Sequence, residues 1–186
     1  MIHRRLSVSN LVQVVAWFES FTTVVDFMMV NKKCTRVLSA VKTNPYIRME
    51  NRFACELPAV IRTRDLFPNL TTVVLADTFF IHVYPFMTAP IQRVELDGLL
   101  PYCVLAAWRE KDIPLGQIAR CTVQSYSERE ALDLSDLTGL EHCTVIVWSQ
   151  IGKIILPPQQ LDFLRINVKR KMSLNFVASM ERHRVK

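Results

Sequence analysis

The sequence predicts an α/β protein in which short parallel β-strands stack behind a helical N-terminal segment. Five segments carry apolar residues at positions i, i+3 and i+5. They are Leu70-Val73-Leu75, Ile91-Val94-Leu96, Ile118-Cys121-Val123, Leu140-Cys143-Val145 and Leu161-Leu164-Ile166, with starting points 21, 27, 22 and 21 residues apart. Residues 9–43 instead carry apolar residues at helical spacing. Pro68, Pro90 and Pro157-Pro158 fall just ahead of a proposed strand, where a missing N–H costs no ladder hydrogen bond.

The helices come first along the chain. Leu11, Val14, Val15 and Phe18 occupy i, i+3, i+4 and i+7, with Ser9 or Asn10 placed to cap. A second helix starts near Thr22 or Thr23 and buries Val24, Phe27, Met28 and Val30. Asn31-Lys32-Lys33 is a polar break, and a third helix over Thr35 to Val41 uses Val37, Leu38 and Val41. Asn44-Pro45 ends it, because a residue before proline avoids the helical region.

The strands follow. In a strand, alternate side chains face one side, so i+3 and i+5 enter the same core, and the residue at i fills that layer from the preceding turn. Connecting segments return behind the strands. Asp97 to Gln117 holds a helix-like run, Leu99 to Trp108, with Pro101 near its start, and a second short helix is expected around Glu128 to Leu134. Ser173 to Arg182, with Leu174, Phe176, Val177 and Met180, reads as an amphipathic helix able to cover the last unit. An unrelated α/β domain built from βαβ units fits the same alternation.

The triplets are similar to the L-x-x-L-x-L core of a leucine-rich repeat, whose unit runs about 20–29 residues. The repeat's consensus Asn or Cys is absent, and Thr78, Leu99, Tyr126, Trp148 and Lys169 stand at that position. The short helices, with Val30-Asn31-Lys32-Lys33-Cys34 at the second turn, followed by these units, resemble an F-box with leucine-rich repeats. The order also resembles protist leucine-rich-repeat proteins that open with a helical stretch. The likeness divides the chain into an F-box-like segment over 6–45, a leucine-rich-repeat-like solenoid of about five units over 66–168, and a basic cap or tail over 169–186. It departs from the family at Ser7-Val8-Ser9-Asn10, where the F-box has Leu-Pro, and at Cys34, where an aromatic residue is usual. The resemblance implies a non-catalytic substrate receptor of a cullin-type ubiquitin ligase, with Leu11, Val15, Val24, Phe27 and Met28 docking the ligase adaptor. Alternatively, residues 6–45 only shield the open end of the first repeat. The chain also reads as a shortened relative of longer repeat proteins.

On a solenoid of this register the side chains at i+2 and i+4 face away from the core and form a concave surface. These are Thr72, Arg93, Arg120, His142 and Phe163, and Val74, Glu95, Thr122, Thr144 and Arg165. Arg93, Glu95, Arg120, Thr122, His142, Thr144, Phe163 and Arg165 are the expected partner-binding residues, suited to an acidic peptide or protein surface.

Composition bounds the remaining classes. Among 186 residues, 50% are hydrophobic and 22% charged, enough to build a core and too apolar for a disordered tail. The longest uncharged stretch, Thr78 to Gln92, has 15 residues and two prolines, short of the roughly 20 that span a bilayer, so no membrane segment is expected. The N-terminus lacks a clean secretory signal, since Glu19 and Asp26 interrupt it. Five scattered cysteines among apolar neighbours point to buried reduced thiols and a cytoplasmic or nuclear protein. The net charge of +6 resolves into +6 over 1–64, −5 over 65–159 and +5 over 160–186. Lys169-Arg170-Lys171 and Arg182 to Lys186 carry the alternative function, nucleic-acid binding through the C-terminal segment.

No catalytic or metal site is expected, and no cofactor. All four glycines fall at Gly98 or later, which weakens any phosphate-loop reading. His3, His82, His142 and His183 show no metal spacing with Cys, Asp or Glu. His142 and Cys143 are neighbours on a strand and so point to opposite faces. Asp133 and Asp136 are read as solvating a helix or turn.

Overall fold

The computed structural model describes residues 6–45, 63–76, 91–126 and 128–169. The chain is a mixed α/β protein with mostly parallel strands and a few helices, divided into two compact units, Met1–Gln92 and Arg93–Lys186. The expected cap over Ser173 to Arg182, the basic residues from Arg170 onward, Cys55 and Thr78 lie outside the described residues.

The first unit opens with helices α1 (Val8–Val15), α2 (Phe21–Val30) and α3 (Lys32–Leu38). Each starts where a side-chain oxygen accepts from an orphan N–H of the first turn. Ser7 accepts from Asn10, Ser20 from Thr23, and Asn31 from both Lys33 and Cys34. The caps therefore sit ahead of the expected positions; Ser9 and Asn10 lie inside α1. The single residue Asn31, in extended backbone, separates α2 from α3.

Helix α3 packs on both α1 and α2, burying Leu11, Val15, Val24, Cys34, Val37, Leu38 and Val41. Phe18 and Phe27 meet edge to face at 5.2 Å. The expected burial of the second helix is corrected in part: Phe27 and Met28 are half-buried and Val30 is 68% exposed. Apolar residues run all the way round α2, and its packing neighbours cover one side of it.

Beyond α3, Thr43 bridges in parallel to Thr72 at the start of β1 (Thr72–Ala76), and the Lys42 carbonyl accepts from Thr71 and Thr72. Asn44 completes the joint. Its Nδ2 donates to the Val74 carbonyl at 2.8 Å and its Oδ1 accepts from the Val74 N–H at 2.7 Å. Leu70, Val73 and Leu75 are buried, as their triplet predicts.

The second unit contains β2 (Arg93–Pro101), α4 (Tyr102–Glu110), β3 (Ile118–Ser125), β4 (Arg129–Asp133), β5 (His142–Val147), β6 (Ile151–Ile155) and β7 (Phe163–Val168). Strands β2, β3, β5 and β7 are parallel neighbours in that order. Across β3, β5 and β7 the register is the one the triplets predict. Cys121 lies opposite Cys143 and then Leu164, and Val123 opposite Val145 and then Ile166. The inward side chains are buried, except Ile166 and Val168 on β7, which are half-buried.

Strand β2 departs from the expected register. Glu95 lies opposite Arg120 and Leu99 opposite Thr122, so β2 advances four residues where β3 advances two. Gly98, at φ 146°, sits within this irregularity, in a conformation that side-chain-bearing residues rarely adopt. Arg93 is therefore not the residue opposite Arg120.

Two expected helices are also corrected. Strand β2 continues through Pro101, so the helix expected from Leu99 begins at Tyr102. It buries Tyr102, Leu105 and Trp108 and leaves Cys103 exposed, unlike Cys34, Cys121 and Cys143. The segment Glu128 to Leu134 contains no helix: it forms β4, which pairs in parallel with β6. Leu132 and Leu134 are both fully buried, two residues apart, which is a strand period; a helix would turn them to different sides.

The turns ahead of β3 and β5 approach through their backbones. A Cβ on Gly139 would lie 2.0 Å from the Gly116 carbonyl oxygen. Gln159 Nε2 ties the adjacent turn, donating to the carbonyls of Leu137 at 2.8 Å and Leu140 at 3.1 Å.

Candidate functional site

Strand parity places the candidate binding residues of the second unit on one outward face. Along β3 these are Arg120 and Thr122, along β5 His142 and Thr144, and along β7 Phe163 and Arg165, with the buried Gln124 and the half-buried Ile146 and Asn167 next in the same parity. The register aligns them in rows: Glu95-Arg120-His142-Phe163, then Leu99-Thr122-Thr144-Arg165. Arg120, Thr122, His142, Thr144 and Phe163 line a shallow open depression, in which the His142 and Phe163 rings lie 6.3 Å apart. The expected set is thus brought together, except that β2 contributes Glu95 and Leu99 to these rows in place of Arg93 and Glu95. Of the remaining outward positions, Thr72 and Val74 are half-buried on β1 of the first unit.

Electrostatics divides this face. Arg93 is ion-paired to Glu95 at 2.9 Å and to Glu141 at 2.5 Å. The hydrogen bond to Glu141, and then that to Glu95, raise the guanidinium pKa further above its ordinary value. Reciprocally, Arg93 holds the Glu141 carboxyl below the usual glutamate range. Arg120 lies 3.7 Å from the other oxygen of Glu95. The arginines at the β2 side are therefore committed to carboxylates of their own unit. Among the described residues, Arg165 has no carboxylate partner; its Nε donates to Asn167 Oδ1 at 3.2 Å.

Sequence spacing does not show the contacts made across the turns. The Asp162 N–H donates to the Glu141 carbonyl at 2.9 Å. This brings donor atoms of Glu141, His142 and Asp162 within 4.8 Å of one another. Glu141 is already paired with Arg93, which places a positive charge beside that cluster. Asp133 and Asp136 do more than solvate a turn. Arg109 of α4 reaches both, at 4.0 and 2.7 Å, and donates to the Asp133 carbonyl at 2.6 Å.

The thiols are similarly placed by the fold. Cys143 is buried while His142 faces outward, so the two do not meet, as strand parity predicts. Cys143 instead lies beside Cys121 on the neighbouring strand. The Cys121 thiol is pushed up by its hydrogen bond with Cys143 and by burial, which is the opposite of what an activated thiolate needs.

In the first unit, the proposed adaptor-docking residues separate into two groups. Leu11 and Phe27 line an apolar groove with Leu6, Val14, Val30 and Cys34, together with the polar Asn31 and Lys33. The Lys33 ammonium donates to the Leu6 carbonyl. Val15 and Val24 are fully buried in the unit's own core and cannot touch a partner, and Met28 is half-buried.

The exposed apolar side chains mark the N-terminal helical segment and the strand face, but in the first unit only Leu6, Val14 and Val30 of them line the groove. Among the described residues, the large exposed hydrophobics of the first unit all fall between Leu6 and Val30, with Trp17 at 85% and Met29 at 81% exposure. Those of the second unit are Leu99 and Phe163 on the outward strand face, and Tyr126 and Trp148 just past the ends of β3 and β5. No described helix is long and apolar enough to cross a membrane. Compared with protein-family models, curated proteins and solved structures, the chain matches none.

Proposed function

We propose that the chain is a non-catalytic protein–protein interaction module, a leucine-rich-repeat-like solenoid whose N-terminal helices dock one protein and whose concave strand face receives another. The observation that carries this reading is that, among the described residues, the exposed large hydrophobics fall on the N-terminal helical segment, over residues 6–30, and on the strand face with its continuation past the strand ends. An exposed apolar patch is retained against its solvation cost where it has a partner to cover it. The resemblance to F-box proteins names the partner of the helices, an adaptor of a cullin-type ubiquitin ligase. Its apolar contact would enter the groove between α1 and α2, and Lys33 in its lining favours an acidic flank on that contact. A receptor of this kind works in the reducing cytoplasm or nucleus.

The test is co-precipitation of the purified chain with a purified cullin-ligase adaptor. Capture by the wild type, lost in Trp17→Ser/Val30→Asp and kept in Arg120→Glu, supports docking through the helices. Val24→Asp is unsuitable, because Val24 belongs to the core. No capture by the folded wild-type chain sinks the ligase reading.

A further inference from the structure

Just past the ends of β3, β5 and β7 stand Tyr126, Trp148 and Lys169. The Trp148 N–H donates to the Ser125 carbonyl and the Lys169 N–H to the Val147 carbonyl, both at 2.9 Å. These bonds carry the parallel ladder one step beyond the strands and continue the outward parity of Gln124, Ile146 and Asn167. The Tyr126 and Trp148 rings stack with centroids 5.9 Å apart and planes inclined by 18°, and the Lys169 ammonium sits 5.8 Å from the Trp148 ring centre. The Tyr126 hydroxyl donates to Gln124 Oε1 at 2.7 Å, fixing the ring from below. Despite these contacts Tyr126 is 58% and Trp148 40% exposed.

From this row toward the row of Arg120 the charge is one-sided. Between the two, the outward positions are Leu99, Thr122, Thr144, Arg165, Pro101, Gln124, Ile146 and Asn167, none of them acidic. Among the described residues neither Arg165 nor Lys169 has a carboxylate partner, in contrast to Arg93 and Arg120. A stacked aromatic shelf thus adjoins two cations that have no carboxylate partner among the described residues.

We infer that this row recognises an extended acidic peptide lying across the strands, with proline or an aliphatic residue on Tyr126–Trp148 and a carboxylate at Lys169 and Arg165. Neighbouring strands are about 4.8 Å apart, so the Tyr126 and Lys169 columns are separated by about 10 Å. That distance is about three residues of extended chain at about 3.3 Å each, which sets the spacing between the apolar residue and the acid. A single-stranded nucleic acid is disfavoured by the same geometry, because it needs open ring faces for its bases. The Trp148 ring is already engaged by Tyr126 and by the Lys169 ammonium, which leaves less open ring for a base than for a smaller side chain.

The inference rests on the strand face being a ligand-binding surface and adds the ligand's class and position. It is tested by calorimetric titration of the full chain with a blocked peptide repeating proline-proline-alanine-glutamate. Its lysine-for-glutamate counterpart and a short oligothymidylate are titrated alongside. The acidic peptide is expected to bind, with affinity falling as salt rises and about tenfold or more lower in Trp148→Ser and in Lys169→Glu. Lys169→Glu should in turn gain affinity for the lysine peptide. Failure of the acidic peptide to bind, binding indifferent to both substitutions, or preferential binding of the oligothymidylate each overturns the inference. Both variants leave the helical groove intact, so adaptor capture in the same preparations reports separately on the proposed function. Indifference at Trp148 and Lys169 with loss in Arg120→Glu and Phe163→Ser overturns the shelf while keeping the strand face as the binding surface.

Discussion

Replacing Asn44 by alanine should destabilise the first unit far more than a small polar residue next to a proline would suggest. The amide group of Asn44 is buried and serves both backbone groups of Val74, at 2.7 and 2.8 Å, while also donating to the Pro45 carbonyl at 3.1 Å. In a parallel ladder the N–H and C=O of one residue point to the same neighbour, so both are stranded when the amide is removed. A buried unpaired group costs about 1–3 kcal/mol. Val74 is half-buried, so water reclaims part of that, and the expected loss is about 2 kcal/mol. That is about a thirtyfold shift in the folded-to-unfolded ratio. Urea unfolding followed by circular dichroism measures it, and hydrogen exchange at the Val74 amide localises it. Asn44→Asp sharpens the test: it still accepts from the Val74 N–H but sets a carboxylate against the Val74 carbonyl. It should be destabilised at neutral pH and recover in acid, where the protonated carboxyl can donate. An Asn44→Ala protein within about 0.5 kcal/mol of wild type, with Val74 exchange unchanged, would refute the reasoning, since surface substitutions fall in that range.

Three further outcomes are expected in the second unit. Gly139→Ala drives a Cβ into the Gly116 carbonyl, a backbone atom, and should cost about 3 kcal/mol or more in urea unfolding. Gly116→Ala meets only the Thr138 hydroxyl at 2.7 Å, which can rotate away, so it should cost clearly less; equal costs would contradict the geometry. Arg109→Met should lose about 1–3 kcal/mol, chiefly by leaving the part-buried Asp133 carbonyl without its donor, since the Asp136 carboxylate is largely exposed. Arg109→Lys should recover little, because one ammonium cannot reach both the carbonyl and Asp136 as the guanidinium does. Finally, Glu141 is held below the ordinary glutamate value of 4.5 by Arg93, so its contribution is present above that value and fades as pH falls below it. Glu141→Gln should flatten that acid limb, and added salt should shrink the difference, as measured by urea midpoints across the acid range.

The triplets carried the alignment of β3, β5 and β7 because a period of two, repeated at spacings of 22 and 21 residues, leaves one arrangement that turns every triplet side chain inward. The same logic placed Arg120, Thr122, His142, Thr144, Phe163 and Arg165 on one face. It misplaced Arg93 because the 27-residue spacing hides an irregular β2 around Gly98. Strand β4 was illegible because its charged residues resemble a solvated helix, and its identity depends on pairing with Ile151–Ile155, a non-local event. The commitment of Arg93 to Glu141, 48 residues away, is equally non-local. Tyr126, Trp148 and Lys169 were visible only as the absence of a consensus asparagine. Their signal was present in the spacing, since they recur at 22 and 21 residues like the strands beneath them.

The meeting of Gly139 with Gly116 bears on how this chain can change length over evolutionary time. Two turns touching backbone to backbone leave no slack ahead of β3 and β5. One residue inserted between Gly139 and β5 would slide Cys143 and Val145 out of the core and bring His142 and Thr144 into it, inverting the strand's two faces. Insertions and deletions should therefore be excluded from this joint and admitted where exposed turns can absorb them, such as Ser149-Gln150 between β5 and β6. Among divergent copies of this chain, the segments from Gly116 to Ser125 and from Gly139 to Val147 would keep their lengths while their outward residues change.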